Sequence, residues 1–401
     1  MPISHKIETI IKNYEYRNGI IYFDNNATTK IAPEVLYEML PYLVSNYGNP
    51  SSLYKFSNEV LNKMNESREK VADLLNCSSD EIIFTSCGSE SNNSAILSAL
   101  QTNPNKRHII TTEVEHPAIK NPLTHLKEKG YKVTSLNVDN KGQLDIQQLE
   151  DSITDNTALI SIMYANNETG VIFDIPKISE IARNKGVLFH TDAVQAVGKI
   201  PIDLQKLPVD FLSLSGHKIH APKGVGALFV RNNIKFSSFL KGGHQENGRR
   251  AGTENVTSII GLGKAAELSK KNLVTVNNQI KILRDELENN LLDTIPDIQI
   301  NGDLENRLSN TSNISFKYVE GESILFMLDK NNICISTGSA CSSHSLEPSH
   351  VLKAMKIQSI FLNGSIRISL SRYTTKDEIK IASETIPKII YRLRQLSPFC
   401  S

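Results

Sequence analysis

Seven short apolar runs alternate with helical segments between residues 81 and 230, and this alternation restricts the fold more than any other feature of the sequence. Each run is rich in Val, Ile, Leu or Phe and is broken by polar residues or glycine, which predicts a buried strand. Strands that alternate with helices over roughly 150 residues predict an α/β fold with one doubly wound, mostly parallel sheet of seven strands. The runs are EIIFTS, RHIITT, YKVTSLNV, ALISIMYA, VLFHT, DFLSLS and GALFVR.

A long helical region, predicted from Val256 to Leu292, marks a change of pattern. The strand and helix candidates that follow it predict a smaller α+β domain. A chain of 401 residues is long enough for more than one core. We therefore expect a large domain over residues 21–270 and a small C-terminal domain over residues 271–401, with residues 1–20 packed on the small domain.

Composition excludes several classes of protein. Lys plus Arg number 44 and Asp plus Glu 43, so the charge is nearly balanced and gives no footprint for nucleic acid or an anionic membrane surface. No apolar run approaches the roughly 20 residues of a membrane helix, and the N-terminus lacks the pattern of a secretory signal. Five cysteines without a CxxC pair make a poor disulfide framework and a poor zinc site. We expect a cytoplasmic protein with free thiols.

Asp192 and Lys218 lie at the ends of two neighbouring apolar runs, VLFHTD and DFLSLSGHK. A carboxylate and an amine at neighbouring strand ends can face one ligand between them. Enzymes that use pyridoxal 5'-phosphate (PLP) need such a pair, because a lysine forms a Schiff base and an acid keeps the pyridine nitrogen protonated. On these two residues alone, a surface lysine and a loop-capping aspartate explain the pattern equally well.

Further polar residues fall at predicted strand ends, where ligands bind on sheets of this kind. The small-residue turn Cys87-Gly88-Ser89 leads from a strand into a helix and can present N–H groups and a hydroxyl to an anion. This signal is weak alone, because many crossovers without a ligand look the same. The clustering is what favours a cofactor site. The other residues at strand ends are Glu115, His116, Asn166, Asn167, Glu168, Gln195, Ser215 and His217.

Cys341 lies in a run of small and polar residues from Ile335 to Glu347, which predicts a flexible surface loop. Because cysteine usually lies buried as a small hydrophobe, a cysteine in such a loop is a candidate nucleophile. Cys334, within the apolar strand NNICIS, is better explained as a core residue. Cys87 flanks the anion turn, where it can simply fill space beside the ligand.

Taken together, these motifs resemble the cysteine desulfurases of the NifS/IscS class, which are PLP enzymes of fold type I. The resemblance extends from Ile21 to about Ile379. Two departures are Tyr54, where the family usually has histidine, and Ser89, where it usually has threonine. The motifs that carry the resemblance are DNNATT, NPSS, TSCGSESNN, EHPA, NNETG, HTDAVQAVGK, SGHKIHAPKG, GRRAGTEN, STGSACSS with LEPSHVL, and SIRISLSR.

For the cofactor, the resemblance implies that Lys218 forms the Schiff base and that Asp192 is the partner of the pyridine nitrogen. It implies that His116 stacks on the ring and can shuttle a proton. The contacts near the phenolic oxygen are then Asn167 and Gln195. The phosphate contacts are Gly88, Ser89, Ser215 and His217, with Thr253 reaching in from the second subunit of a homodimer.

For the reaction, the resemblance implies that Arg367 holds the carboxylate of L-cysteine, beside Asn167. Cys341 then accepts the sulfur, which leaves L-alanine and a persulfide on the protein. The persulfide sulfur is expected to pass to an acceptor protein such as an iron–sulfur scaffold or a tRNA-thiolation protein.

Some alternatives stay open at this point. In isolation, His116 is better explained as a helix N-terminal residue and Arg367 as a solvent-facing strand residue. His217, His220 and His244 have no carboxylate or cysteine at ligand spacing, so no metal site is expected.

Two rival functions also remain. One is a selenocysteine lyase or another PLP enzyme of the aminotransferase fold, although transamination needs no protein thiol such as Cys341. The other is a non-enzymatic sulfur carrier or scaffold, and the amine of Lys218 argues against it.

Overall fold

The computed structural model describes residues 19–337 and 348–397. A short strand, β1 (Ile21–Tyr22), precedes the seven strands of the main sheet, which correspond to the seven predicted apolar runs. These are β2 (Ile82–Thr85), β3 (His108–Thr112), β4 (Lys132–Leu136), β5 (Thr157–Ser161), β6 (Leu188–Asp192), β7 (Phe211–Ser215) and β8 (Gly226–Val230).

The main sheet has the strand order β2-β8-β7-β6-β5-β3-β4. Five neighbouring strands, from β7 to β4, are parallel, whereas β8 runs antiparallel to both β2 and β7. The carboxyl ends of the parallel strands therefore meet at one edge, which is where sheets of this type bind ligands. The predicted fold class is confirmed.

Helices cover both faces of this sheet. Successive strand residues alternate between two cores, so that Ile82 and Phe84 pack on one face and Ile83 on the other. This alternation follows from the period of two in a strand, and a parallel sheet needs both faces covered. The helices are α1 (Pro33–Val44), α2 (Lys55–Leu75), α3 (Gly88–Thr102), α4 (Pro117–Glu128), α5 (Ile146–Ser152) and α6 (Ile175–Asn184).

The second half of the chain builds a separate core around a three-stranded antiparallel sheet of order β12-β10-β9. A further strand, β11, pairs in parallel with β1. The strands are β9 (Ile298–Ile300), β10 (Thr311–Phe316), β11 (Ile333–Cys334) and β12 (Ser365–Ser369). The helices are α7 (Val256–Thr294), α8 (Gly321–Asp329), α9 (His350–Ala354), α10 (Ser359–Leu362) and α11 (Lys376–Leu396).

Helix α7 contributes to both parts of the molecule. Its N-terminal half buries Ile259 and Leu262 in the core of the main sheet, and its C-terminal half buries Leu283 and Leu287 in the second core. We keep the division into residues 21–270 and 271–401 as a proposal on this basis. The predicted packing of residues 1–20 falls almost entirely outside the described residues. Within the described ranges, no helix combines the length and apolar character needed to cross a membrane.

Candidate active site

A cavity of about 300 Å³ opens at the carboxyl edge of the main sheet. Ten of the twelve residues to which the resemblance gives a role line it: Gly88, Ser89, His116, Asn167, Asp192, Gln195, Ser215, His217, Lys218 and Arg367. Thr253 does not line this cavity, and its side chain is exposed. Cys341 lies outside the residues that the structure describes.

Lys218 enters the cavity from the turn that follows β7. A single 3-10 turn, Gly216–Lys218, ends the strand and directs the lysine back over the sheet edge. Its Nζ donates to the backbone carbonyls of Asn26 and Ala27 at 2.6 and 2.8 Å. The loop after β1 therefore fixes the position of the amine.

Asp192 is the last residue of β6 and is only 6% exposed. One carboxylate oxygen, Oδ2, accepts a hydrogen bond from Asn92 Nδ2 at 2.7 Å, and Oδ1 accepts one from the Val194 N–H at 3.0 Å. A buried carboxylate is stable only when it is well hydrogen-bonded or close to a cation. The arrangement therefore suits a positively charged ligand group in the cavity.

The start of α3 lines the cavity next to the turn after β7. A Cβ added at Gly88 would lie 2.7 Å from Val194 Cγ2, so the backbone approaches this wall closely. Ser215 Oγ is buried and has no hydrogen-bond partner among the described residues. A helix N-terminus beside an unsatisfied hydroxyl is a suitable receptor for a phosphate group.

Gln195 and His217 complete the polar lining. Gln195 Nε2 donates to the Asn26 carbonyl at 2.9 Å. A ring nitrogen of His217, Nδ1, lies 3.1 Å from Thr28 Oγ1. Burial, with Lys218 and Lys223 nearby, lowers the pKa of His217 to about 4, so the imidazole is neutral near pH 7.

His116 caps the N-terminus of α4, and its Nδ1 accepts a hydrogen bond from the Ala118 N–H at 3.1 Å. Burial lowers the pKa of His116, and Lys218 and Arg367 add to this effect while Asp192 opposes it. The neutral imidazole that results carries its proton on Nε2, because Nδ1 is the acceptor. The ring can therefore donate a proton from Nε2.

Arg367 lies on β12 and is 3% exposed, so it is not a solvent-facing strand residue. Its Nη1 donates to the Asn167 carbonyl at 3.0 Å and its Nη2 to Asp24 Oδ1 at 2.7 Å. Its Nε is buried without a hydrogen-bond partner in the described part of the chain. Two partners orient the guanidinium, and Nε together with the second N–H of each Nη remains for an anionic group.

Both ends of the segment that contains Cys341 are attached close to this cavity. Before the segment, Ser336 exchanges backbone hydrogen bonds with Arg367 at 3.1 and 2.6 Å. After it, Ser349 Oγ donates to Glu168 Oε2 at 2.5 Å, and His350 Nε2 lies 3.0 Å from the Glu115 carbonyl. The segment therefore leaves and returns beside the residues expected to hold the cofactor and the substrate.

Asn26 and Asn92 also line the cavity, although the sequence motifs gave neither of them a role. Asn92 follows Gly88 by one helical turn, and that spacing places both on one face of α3. The position of Asn92 beside the cavity could therefore be predicted from its spacing in the sequence. Asn26 lies in the DNNATT motif, but its partners are more than 140 positions away, including Thr311 at 2.8 Å.

Some residues of the quoted motifs lie away from the cavity. Arg249 donates to the carbonyls of Asp80 and Ile82, and Arg250 pairs with Glu90, so these arginines hold their loop against the start of β2 and against α3. Tyr54 precedes α2 and is 57% exposed. No group of three His, Cys, Asp or Glu side chains within the described ranges could hold a metal ion.

The remaining cysteines lie in different surroundings. Cys87 lines the cavity beside the start of α3, as the sequence suggested. Cys334 lies on β11 and is only partly buried. Burial raises the pKa of the Cys334 thiol, which keeps it protonated and unreactive near pH 7.

These features define a class of enzyme. A lysine, a buried carboxylate, an anion-binding helix N-terminus and an oriented arginine face one cavity at the carboxyl edge of a doubly wound sheet. The unsatisfied hydroxyl of Ser215 and the close backbone at Gly88 fit a phosphate, and Asp192 fits a protonated ring nitrogen. Such a site is typical of a PLP-dependent enzyme.

Comparison with known proteins agrees with this class. The family model described as aminotransferase class-V matches residues 21–381. The chain is 56% identical over 381 residues to a cysteine desulfurase of Trichormus azollae, with 95% of each chain covered. It is 50% identical over 382 residues to the cysteine desulfurase NifS of Azotobacter vinelandii, again with 95% of each chain covered. A solved structure described as a NifS-like protein has a TM-score of 0.88 and 38% identity, covering 93% of this chain and 100% of that one.

The chain therefore belongs to the aminotransferase class-V family, whose members use PLP. The resemblance inferred from the sequence motifs is confirmed. Relatives that match almost the whole chain are cysteine desulfurases, which supports that function over a selenocysteine lyase or another aminotransferase-fold enzyme.

Proposed function

We propose that this chain is a cysteine desulfurase that converts L-cysteine and the thiol of Cys341 into L-alanine and a persulfide on Cys341. The observation that carries the proposal is the convergence of Lys218, Asp192, His116 and Arg367 on one cavity. The backbone pairing of Arg367 with Ser336, five residues before Cys341, adds independent support.

The cofactor would be held at three points. Lys218 binds its aldehyde carbon, and the carboxylate of Asp192 stabilises its protonated ring nitrogen. Its phosphate fits the N-terminus of α3, with Gly88, Ser89, Ser215 and His217 around it. Bound in this way, PLP supplies an electron sink that stabilises negative charge at the α-carbon of an amino acid.

Arg367 would orient the substrate. A guanidinium binds a carboxylate through charge-assisted hydrogen bonds, and its planar shape fixes the direction of the amino acid. Asp24 and Asn167 hold this arginine, so little side-chain freedom is lost when the substrate binds. The amine and side chain of the substrate then point toward Lys218 and the cavity mouth.

Proton transfer falls to Lys218 and His116. The amine of Lys218 is positioned to remove the α-proton and return a proton as L-alanine forms. The neutral imidazole of His116 can donate from Nε2. An ordinary thiol with a pKa near ~8.5 is mostly protonated at pH 7, so Cys341 needs to lose its proton on approach.

The sulfur step involves one bond made and one broken. The Cys341 thiolate attacks the sulfur of the bound cysteine, forming an S–S bond as the bond from carbon to sulfur breaks. The electron pair of the broken bond stays with the carbon fragment, which takes up protons to become L-alanine. No external oxidant or reductant is needed, because the two thiols and the two products balance.

Mass spectrometry after incubation with L-cysteine tests the proposal. We expect an adduct of about 32 Da on the peptide that contains Cys341, and no adduct in Cys341→Ala, which should still bind PLP. Cys87→Ala and Cys334→Ala are matched controls that should keep the adduct. An adduct that maps to Cys87 or Cys334, or turnover that survives Lys218→Ala, would contradict the assignment.

Further details of the proposal concern partners and location. The exposed position of Thr253, away from the cavity of its own chain, is compatible with a homodimer in which it reaches the phosphate of the partner subunit. Light scattering should then give twice the mass of the chain, and a monomer that retains full activity would exclude this role.

We propose a cytoplasmic enzyme that supplies sulfur to acceptor proteins such as an iron–sulfur scaffold.

A further inference from the structure

A second cavity, of about 60 Å³, is lined by Lys218 as the candidate active site is, but otherwise by different residues. It lies where the core of the main sheet, helix α7 and the second core meet. Polar side chains from all three parts line it: Asn25, Thr29, Lys199, Lys218, His220, Ser269, Asn272, Asn277, Asn310, Ser371 and Arg372.

Arg372 is the least satisfied group in this cavity. Its Nε and Nη2 are both buried and have no hydrogen-bond partner within the described ranges. The guanidinium lies 5.2 Å from the Tyr373 ring, a contact that leaves the N–H groups unsatisfied. A buried donor without an acceptor is costly and more so when charged, so two such donors on one guanidinium point to a ligand.

Lys199 adds a second cation with only neutral acceptors. Its Nζ donates to Gln195 Oε1 at 2.7 Å and to Asn26 Oδ1 at 3.3 Å. Burial, together with the nearby charges of Lys218 and Arg367, lowers the pKa of Lys199 to about 7. Because burial is the main cause of this lowering, an anion beside the amine would favour its charged form.

Among the described residues that line this cavity, there is no aspartate or glutamate. His220 does not compensate the charge either, because burial lowers its pKa to about 3 and leaves the imidazole neutral. The lining therefore combines the two buried donors of Arg372 with the amine of Lys199 and contains no carboxylate.

We propose that this cavity binds a small tetrahedral oxyanion of the phosphate or sulfate class, held by Arg372 and Lys199. A cavity needs roughly 10–15 Å³ to hold each water molecule. The volume of this cavity therefore suits about four waters or one ion with four oxygens. An arginine can offer two parallel hydrogen bonds to such an ion, and Nε with Nη2 is one of its two paired edges.

An anion here affects the active site through Lys199. The same amine that faces the anion donates to Gln195, which lines the candidate active site. The anion also joins the two parts of the molecule, because Lys199 belongs to the main-sheet part and Arg372 follows β12. We therefore expect occupancy to stabilise the junction between the two cores.

Calorimetric titration of the PLP-loaded enzyme with inorganic phosphate, at constant ionic strength, tests the proposal. We expect saturable binding to one site per chain, weakened at least tenfold in Arg372→Met and weakened less in Arg372→Lys, which keeps the charge but loses the fork. Arg392→Met, on the exposed face of α11, is the matched control and should bind as the wild type. Sulfate should compete with phosphate, whereas chloride should not.

Three outcomes would overturn the proposal. One is the absence of saturable binding in the wild type, which would mean that waters alone occupy the cavity. Another is unchanged affinity in both Arg372 variants. The third is that Arg367→Met loses phosphate binding whereas Lys199→Met keeps it, which would place the ion in the active site. Because binding is measured directly, failure here would leave the proposed desulfurase activity untouched.

Discussion

Glu115 shows how strongly burial can change the pKa of a single carboxyl group beside the cavity. Its side chain is 0% exposed, and Oε1 accepts hydrogen bonds from Thr112 Oγ1 and the Met163 N–H at 2.8 and 3.0 Å. Burial raises its pKa to about 8 despite these two bonds. The carboxyl is therefore neutral near pH 7, and it accepts hydrogen bonds from Thr112 and the Met163 N–H without adding charge.

This raised pKa predicts a pH-dependent stability. Between the unfolded value of about 4.3 and the folded value of about 8, the folded state binds more protons, so stability falls as pH rises through this window. Glutamine cannot titrate. As pH rises through this window, the unfolding free energy of the wild type should therefore fall relative to that of Glu115→Gln, by up to roughly 1.4 kcal/mol per pH unit.

Urea unfolding at several pH values between 5 and 9 would measure this shift. Glu286→Gln, on an exposed position of α7, is a suitable control whose difference from wild type should stay nearly constant. A constant difference for Glu115→Gln across the same range would show that the buried carboxyl does not titrate there.

At the scale of elements, the start of α3 shows how the sheet and a helix share one wall of the cavity. Gly88 begins this helix next to Val194, which itself follows Asp192 by two positions. The close approach leaves no room for a side chain, so the helix N-terminus lies directly against the loop that carries the carboxylate. The proposed contacts of the α3 N-terminus with the phosphate and of Asp192 with the ring nitrogen thus both depend on the packing of Gly88 against Val194.

Gly88→Ala should therefore weaken cofactor binding. The added methyl must displace Val194, and overpacking of this kind costs about 1–3 kcal/mol, which corresponds to a loss of roughly tenfold or more in PLP affinity. Titration of the apoenzyme with PLP, followed by absorbance, measures the loss. Val194→Ala alone should bind nearly as the wild type, and the double variant should recover most of the affinity. Failure of the second substitution to restore binding would show that the clash is not the cause.

The elements themselves could be predicted largely from the sequence, and so could most of the cavity lining. Strands such as β6 and β7 are short apolar runs with polar ends, and these are local signals. The helix α5 and the short helices α9 and α10 were not predicted, because few periodic apolar positions mark them. Asn26 was not assigned a role, since its function depends on contacts with Lys218 and Gln195 that only the folded chain creates.

At the scale of the whole molecule, Arg367, the arginine proposed to bind the substrate, is held between the two parts. Arg367 belongs to the second core, whereas Asn167 lies in the main-sheet part and Asp24 follows β1. Asp24 also forms a backbone bridge to Ser369 on the same strand as Arg367. The geometry of substrate binding therefore depends on how the two cores are joined.

Asp24→Asn should raise the KM for L-cysteine by roughly tenfold, because one charge-assisted hydrogen bond to Arg367 is weakened and the guanidinium loses its orientation. PLP affinity should change little, since Asp24 does not line the cofactor cavity. Steady-state kinetics and PLP titration separate the two effects. Asp297→Asn removes a matched surface pair with Lys317, 2.8 Å long, and should leave KM unchanged. An equal loss of PLP affinity in Asp24→Asn would indicate a general distortion instead.

The bridge between Ser336 and Arg367 sets a limit on where sulfur can be delivered. Cys341 is five positions after Ser336 in the sequence, and a chain extends at most about 3.6 Å per residue, so the Cα of Cys341 lies within roughly 18 Å of that anchor. Under the proposed function, a recipient of the sulfur must therefore bring its own reactive atom close to that radius. Sulfur transfer then depends on the shape and charge of the surface around the cavity mouth. A recipient that is not complementary to that surface does not accept the sulfur.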